Sequence, residues 1–552
     1  MSDVVDPDDE LMSLREAIEL ANANPGADEV SFDEGLSGTI LLGGTELQIV
    51  DSISIMGPGS NVITIDADHQ SRIFSLKEDS QKAPLQILIS GLSLDSGQAP
   101  EGGNGGAIYS RSAERLEITA SEIRNSSADQ AGGAIHAGST ILSVMNSRFS
   151  NNQADNGGAI SSNSIVDLNG ALIENNTAVS RGGAIDGSGG AELTLRETKL
   201  FNNTVTWQGG GGAVYLFGGS LQAIDSRFIS NSTMGVGADG GAIYAISAEL
   251  LIDRSEISHN EVTGFGGDGG GISAEFSEVV VVNSSIHDNV TSDTQVGGGG
   301  VYAERSTLMI GNTTIANNEL FAPNRSSNAG GAGISGQGTD LTIWNSTITG
   351  NRSSNVVGGV YLRTLSSQND LWPTRLAVHN SIIIANLDDS TAPDIWFPEV
   401  EAQDVDIRHS FIGSTAGNPS TRFCCGNNRT NIQWSEILIG NRNGPLLANN
   451  GGPTKTVALA PRSGAIDFGD DELFLGFSST VSDQRGVGFD RFGDGNGDGF
   501  AIIDAGAVEA SREGFALLEA SIEPSFQLVT DPNIDTTASF SINAATEMVF
   551  NI

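Results

Sequence analysis

The sequence predicts an all-β fold, a single-stranded right-handed parallel β-helix with a short N-terminal capping helix, and three observations carry that prediction. A Gly-rich step ending in Ile or Val recurs at Ile108, Ile135, Ile160, Ile185, Val214, Ile243, Ile272, Val301, Ile334 and Val360. An apolar residue followed by Asn sits between the steps, as in Phe149/Asn152, Ile173/Asn176, Leu200/Asn203, Phe228/Asn231, Ile257/Asn260, Ile286/Asn289, Ile315/Asn318, Ile348/Asn351 and Ile383/Asn386. Short apolar runs such as Leu193-Thr194-Leu195 and Val279-Val280-Val281-Val282 lie between these markers and are too short for helices.

The steps are about 25 to 33 residues apart, the span in which one repeat forms one supersecondary unit. Three brief strands per repeat, separated by Gly and Asn turns, make one coil, and coils stack at about 4.8 Å. Gly pairs such as Gly240-Gly241 permit positive φ and close backbone approach, while the Ala and Ile or Val that follow fill a narrow interior. Asn tolerates left-handed backbone angles, and stacked amides hydrogen-bond from coil to coil. A linear repeat also explains how 552 residues with only 6% aromatics share one core, and 38% hydrophobic residues spread evenly argue against disorder.

An open solenoid needs covered ends. Ser13-Leu14-Arg15-Glu16 is a capping box opening a helix with Leu14, Ile18 and Ala21 on one face, and the helix should stop near Asn22 to Gly26. Strands follow at Glu29 to Phe32, Ile40 to Leu42, Ile53 to Met56 and Val62 to Ile65. Ser13 to Ile18 with Ala21-Asn22-Ala23-Asn24 resembles the CSLREA-type N-terminal motif of bacterial secreted β-helix proteins, with Met12 where that motif has Cys. The repeats from 105 to about 390 resemble those of chlamydial polymorphic outer membrane proteins, marked by GGAI and FxxN. Gly444 to Thr454, Gly464-Ala465-Ile466-Asp467, Asp483-Gln484-Arg485-Gly486 and Asp504 to Glu509 resemble the choice-of-anchor Q domain. These resemblances imply an extracellular protein or one of the bacterial cell surface or outer membrane. The expected organisation is an N-terminal cap with first coils (1–95), β-helix repeats (96–390), irregular last coils (391–440), a C-terminal capping region (441–511) and a linker or further β segment (512–552).

A net charge of −41 repels phosphate backbones and anionic headgroups, which excludes nucleic acid as a partner class. No apolar stretch approaches the roughly 20 residues of a membrane span. The first residues lack the basic and apolar regions of a signal peptide, so the protein is either cytosolic or exported by a signal outside this segment. Cys424 and Cys425 are adjacent and cannot staple distant segments; a vicinal disulfide and two free thiols both remain open.

Two places could carry chemistry. Asp494, Asn496 and Asp498, with the Phe500 carbonyl and Asp504, match the front half of an EF-hand-like loop and are the expected ligands of a structural calcium. All five tyrosines, Tyr109, Tyr215, Tyr244, Tyr302 and Tyr361, directly follow a Gly-rich step, with His136, Ser161, Asp186, Ser273 and Ser335 on the coils between. Strand alternation turns these rings outward, an exposed column on which an extracellular glycan or a host or neighbour-cell surface protein could stack. The other reading is packing, since Tyr suits strands and same-column aromatics hold coils together.

The expected function is therefore an adhesin-like surface module binding glycan or protein through its outer sheet faces. The alternatives are a pectate lyase-like polysaccharide lyase or hydrolase and a purely structural envelope protein. A glycosidase needs two close carboxylates, whereas Asp388-Asp389 and Asp470-Asp471 are isolated pairs; polygalacturonase-like GHG and RIK signals are absent. The six histidines, at 69, 136, 259, 287, 379 and 409, show no metal-ligand spacing along the chain.

Overall fold

In the computed structural model the chain winds into a parallel β-solenoid of about 12 turns. The structure describes all residues except 1–10, 78–83, 293–296, 322–329, 355–356, 367–370, 373, 389–392, 398, 424–425, 476–480 and 511–552. The Cys424-Cys425 pair and the expected segment 512–552 thus lie outside the described residues.

Three long sheets run the length of the solenoid, with 14, 15 and 13 strands, each strand pairing with its counterpart one coil away. The Gly-rich steps lead into the 13-stranded sheet, the apolar runs form the 14-stranded sheet, and the strands before the recurrent Asn form the 15-stranded sheet. A fourth sheet of nine strands follows the Asn in the central coils, in pieces as short as Thr204–Val205. Three strands per coil was the expectation; the fourth is too short to leave an alternating pattern in the sequence. Inward residues from the three long sheets make one continuous core of Leu, Ile, Val, Ala and Phe, from Leu14 to Phe423.

The corners explain the markers. The first Gly of a step has positive φ, +63° at Gly240, and a Cβ on the second, Gly241, would stand 2.2 Å from the Gly270 carbonyl of the next coil. The recurrent Asn residues are buried and form a ladder, as where the Asn203 amide donates to Asn231 Oδ1 at 3.0 Å and Asn231 to Asn260 Oδ1 at 3.0 Å. Each Asn Oδ1 also accepts the backbone N–H of the previous Asn. The ladder ends where Asn386 donates to Asp394 Oδ1 at 2.9 Å. The left-handed angle expected of these Asn belongs to the residue before them, such as Asn202 at φ 55° and Ser230 at φ 57°. A second ladder, of Ser and Thr hydroxyls, runs at the preceding corner through Ser226, Ser255 and Ser284.

The N-terminal helix spans Leu14–Ala23, opens with the Ser13/Glu16 capping box and buries Leu14, Ile18 and Ala21. It covers the open edge of the first coil: Asn22 bonds the backbone of Gln48 and Val50, and Arg15 donates to the Thr45 and Glu46 carbonyls. At the other end, the described residues from about 437 to 510 fold back along the outside of the 15-stranded sheet. Arg491 reaches Asn312 and Asn345, the Ala507 N–H donates to Thr347, Asn380 and Asp470 exchange hydrogen bonds, and Gln484 accepts from Thr314. This lateral cover has its own small core around Ile437, Leu459 and Ala465, shared with outward Ile382, Ile384 and Phe411 of the solenoid.

Candidate functional site

The tyrosine column exists in the predicted register. Tyr109 pairs with His136 and Asp186 with Tyr215, which pairs with Tyr244; Tyr302 pairs with Ser273 and Ser335, and Ser335 with Tyr361. Tyr215 and Tyr244 meet edge to face at 5.6 Å between centroids. The expected exposure is corrected: Tyr215, Tyr244, Tyr302 and Tyr361 are only 7%, 8%, 4% and 6% exposed, and Tyr109 is partly buried. The rings do leave the outer face, but the Gly-rich loops of neighbouring coils lie over them. A Cβ on Gly210 would stand 2.7 Å from the Tyr244 ring. Their hydroxyls are engaged as well, Tyr244 donating to Glu275 at 2.8 Å and Tyr302 to Glu304 at 2.9 Å. Burial first, then nearby acids such as Asp239 for Tyr244 and Asp268 for Tyr302, push both phenols well above their usual range, so they stay neutral. The rings also carry cations, Arg181 over Tyr215 and Arg72 over Tyr109.

The loops that bury the tyrosines present other apolar side chains to solvent. Trp207, Met234, Val236 and Phe265 are 64%, 54%, 64% and 49% exposed, on three successive coils. The backbones beneath them are stacked tightly: a Cβ on Gly235 would collide with the Trp207 carbonyl, and one on Gly264 with that of Gly235. The Gly237 N–H donates to the Phe265 carbonyl at 2.9 Å. Glycine thus brings the three loops together and leaves their large residues nowhere to turn but outward. Grouped exposed apolar side chains of this kind mark interaction surfaces. Sequence reading passed over them because each lies at a different place within its loop.

The Asp494 loop closes on itself. Asp494 accepts from the N–H of Gly497, Asp498 and Gly499, Asn496 from Asp498, and Asp498 from Phe500. Asp504 is not turned toward this loop: it is buried in the cover, where its two oxygens accept the N–H of Asp467 and Ala510. Asp467 takes its place, accepting from Gly495 and Asn496. Burial, with help from the Asp494 and Asp498 charges, raises its carboxyl above the usual range. The carboxylates of this loop do not converge to within 4.8 Å as a set of three. Asp470 caps the helix Asp471–Leu475 and Asp471 accepts from Ile503, which gives that acid pair a structural place.

Among the described residues, one group does converge as metal ligands would: His259, His287 and Asp288. Sequence reading missed it because it sought ligands a few residues apart, whereas stacked coils bring together residues one period apart. Alignment on Asn260 and Asn289, which puts His259 and Asp288 in one column, was the available signal.

A family model described as right handed β-helix region matches residues 165–389, and one for the chlamydial polymorphic membrane protein repeat matches residues 146–163. The resemblances at the two chain ends are not among these matches. No curated protein matches the chain. Among solved structures, a PL6 alginate lyase in complex with a trisaccharide is similar at 12% identity, covering 60% of this chain and 82% of its own, with a TM-score of 0.29. No helix among the described residues is long and apolar enough to cross a membrane, which leaves β-barrel segments unaddressed.

Proposed function

We propose that this chain is the rod of a surface-associated, adhesin-like protein that binds a protein on an opposing surface through the ridge of Trp207, Met234, Val236 and Phe265. The ridge is the observation that carries the reading: four large apolar side chains stand in solvent together on three successive coils of an acidic protein. The β-helix fold and the polymorphic membrane protein repeat support a surface association. A convex line containing Met and Val suits a hydrophobic pocket on a protein better than the face of a sugar ring, which takes flat aromatics.

The test is adhesion of fluorescently labelled purified protein to a panel of cells, comparing the parent with Trp207→Ser/Phe265→Ser. The parent should bind, and the double variant should lose at least tenfold in affinity with an unchanged circular dichroism spectrum. Protease treatment of the target cells should remove the binding sites; removal by periodate alone would assign the ligand to glycan instead. Equal binding by parent and variant would discard the ridge as the contact surface.

A further inference from the structure

We propose that His259, His287 and Asp288 bind one divalent transition-metal ion of the Zn2+ type, with Glu256 orienting His287 from behind. The site is built by coil stacking. Ser258 pairs with His287 on adjacent strands of the 15-stranded sheet, which sets His259 beside Asp288 one step further along. His259 and Asp288 both hold left-handed backbone angles, φ 56° and 55°, at that corner.

The donor geometry suits a small cation. His259 Nε2 lies 3.9 Å from Asp288 Oδ2, and the same oxygen lies 2.7 Å from His287 Nδ1. Tetrahedral ligands at about 2.0–2.1 Å from zinc stand roughly 3.3 Å apart; both Asp288 distances fall within an ångström of that, and all three donor atoms lie within 4.8 Å of one another. His287 is fully buried, and its Nε2 lies 3.1 Å from Glu256 Oε1. A carboxylate on the far nitrogen is how metal-binding imidazoles are held: it keeps the hydrogen on Nε2 and leaves Nδ1 as the ligand. Glu256 is itself fixed by the Ser258 hydroxyl at 3.0 Å and by Arg227 at 3.8 Å. A metal ion at Nδ1 displaces any proton held there to solvent.

His259 is half exposed and leaves a coordination position for water. Lys455 of the lateral cover and Arg227 oppose an incoming cation, while Glu256 and Asp288 offset them. The two nitrogen ligands favour Zn2+ or Co2+ over Ca2+ or Mg2+.

The experiment uses the full chain, freed of metal and carrying Cys424→Ser/Cys425→Ser so that the thiols cannot bind zinc. Titration with Zn2+ by calorimetry, and with Co2+ by its visible absorption, should give one ion per chain. His259→Ala and Asp288→Asn should each weaken binding at least tenfold, and Glu256→Gln by about 10- to 100-fold. His259 is a surface residue, so its variant folds whether or not the buried His287 tolerates change; circular dichroism checks each protein. Absence of saturable binding by the cysteine-free chain, or equal affinities in parent and His259→Ala, overturns the proposal.

Discussion

Single residues in this protein act as links in columns, so their worth depends on the coils above and below. Asn260 shows it: its Oδ1 accepts from both the N–H and the amide of Asn231, and its own amide donates to the Phe228 carbonyl and to Asn289 Oδ1. Asn260→Ala removes four buried hydrogen bonds, and we expect a loss of about 2–4 kcal/mol in denaturant unfolding. A change of under about 1 kcal/mol would mean that water replaces the ladder. His136 makes a pH-dependent counterpart. Burial, then the Arg72 charge, lowers its pKa from 6.5 to about 4, and its ring stacks on Tyr109 at 5.6 Å. The unfolded chain therefore takes up that proton first as pH falls. Stability contributed by the neutral ring is present above pH 6.5 and is lost on the way down to about 4, on the order of 3 kcal/mol. Melts of the parent and His136→Gln across this window should converge toward acid pH; parallel curves would reject the assignment.

At the scale of elements, what could be read in advance divides by periodicity. The capping box, the long-sheet strands and the Asn ladder repeat or carry strong local signals, and the helix Leu14–Ala23 and the columns formed where expected. The strands of the fourth sheet, as short as two residues, repeat once per coil but carry one inward residue of mixed character, such as Ala178, Val205 or Thr233. The loops over Tyr215 and Tyr244 and the docking of residues near 437 to 510 have no period, because they pack on outward residues. The candidate ligands fared likewise: Asp494, Asn496 and Asp498 share a local loop and were readable, while Asp467 and the His259 group came from distant segments. The lateral cover rests heavily on Arg491, which is fully buried, donates to Asn312 at 2.7 Å and lies 3.7 Å from Glu509. Burial raises the Asp504 and Glu509 carboxyls, the Asp467 charge adding to it at Asp504 and the Asp504 charge at Glu509, and Arg491 is the cation that opposes this. Arg491→Met should release the cover at a cost of about 3–5 kcal/mol while the solenoid stays intact. Hydrogen exchange would show faster exchange across 437–510 with the ladder amides still protected, and uniform loss of protection would show that cover and solenoid unfold as one.

For the whole molecule, each coil touches chiefly its two neighbours, so stability should accumulate coil by coil as in other linear repeats. About 12 turns at roughly 4.8 Å give a rod on the order of 60 Å long. Such a rod should tolerate removal of a complete coil and reject removal of part of one. Deleting His136 to Ile160 joins Ile135 to Ser161, residues that already occupy successive positions on adjacent coils. Ile135 and Ile160 are register partners, so the cut restores the step, and the Ser126 N–H can find Asn176 Oδ1 where it now finds Asn152. The deletion lies away from both the Trp207 ridge and the His259 group, so binding through either should survive. Small-angle scattering should show a rod about 4.8 Å shorter, with cooperative melting retained. Deleting only His136 to Ser147 would put the inward residues of the next strand out of register with their neighbours and should abolish folding. If both deletions behave alike, stability is not carried by register between neighbouring coils but by contacts that span the rod, such as those of the lateral cover.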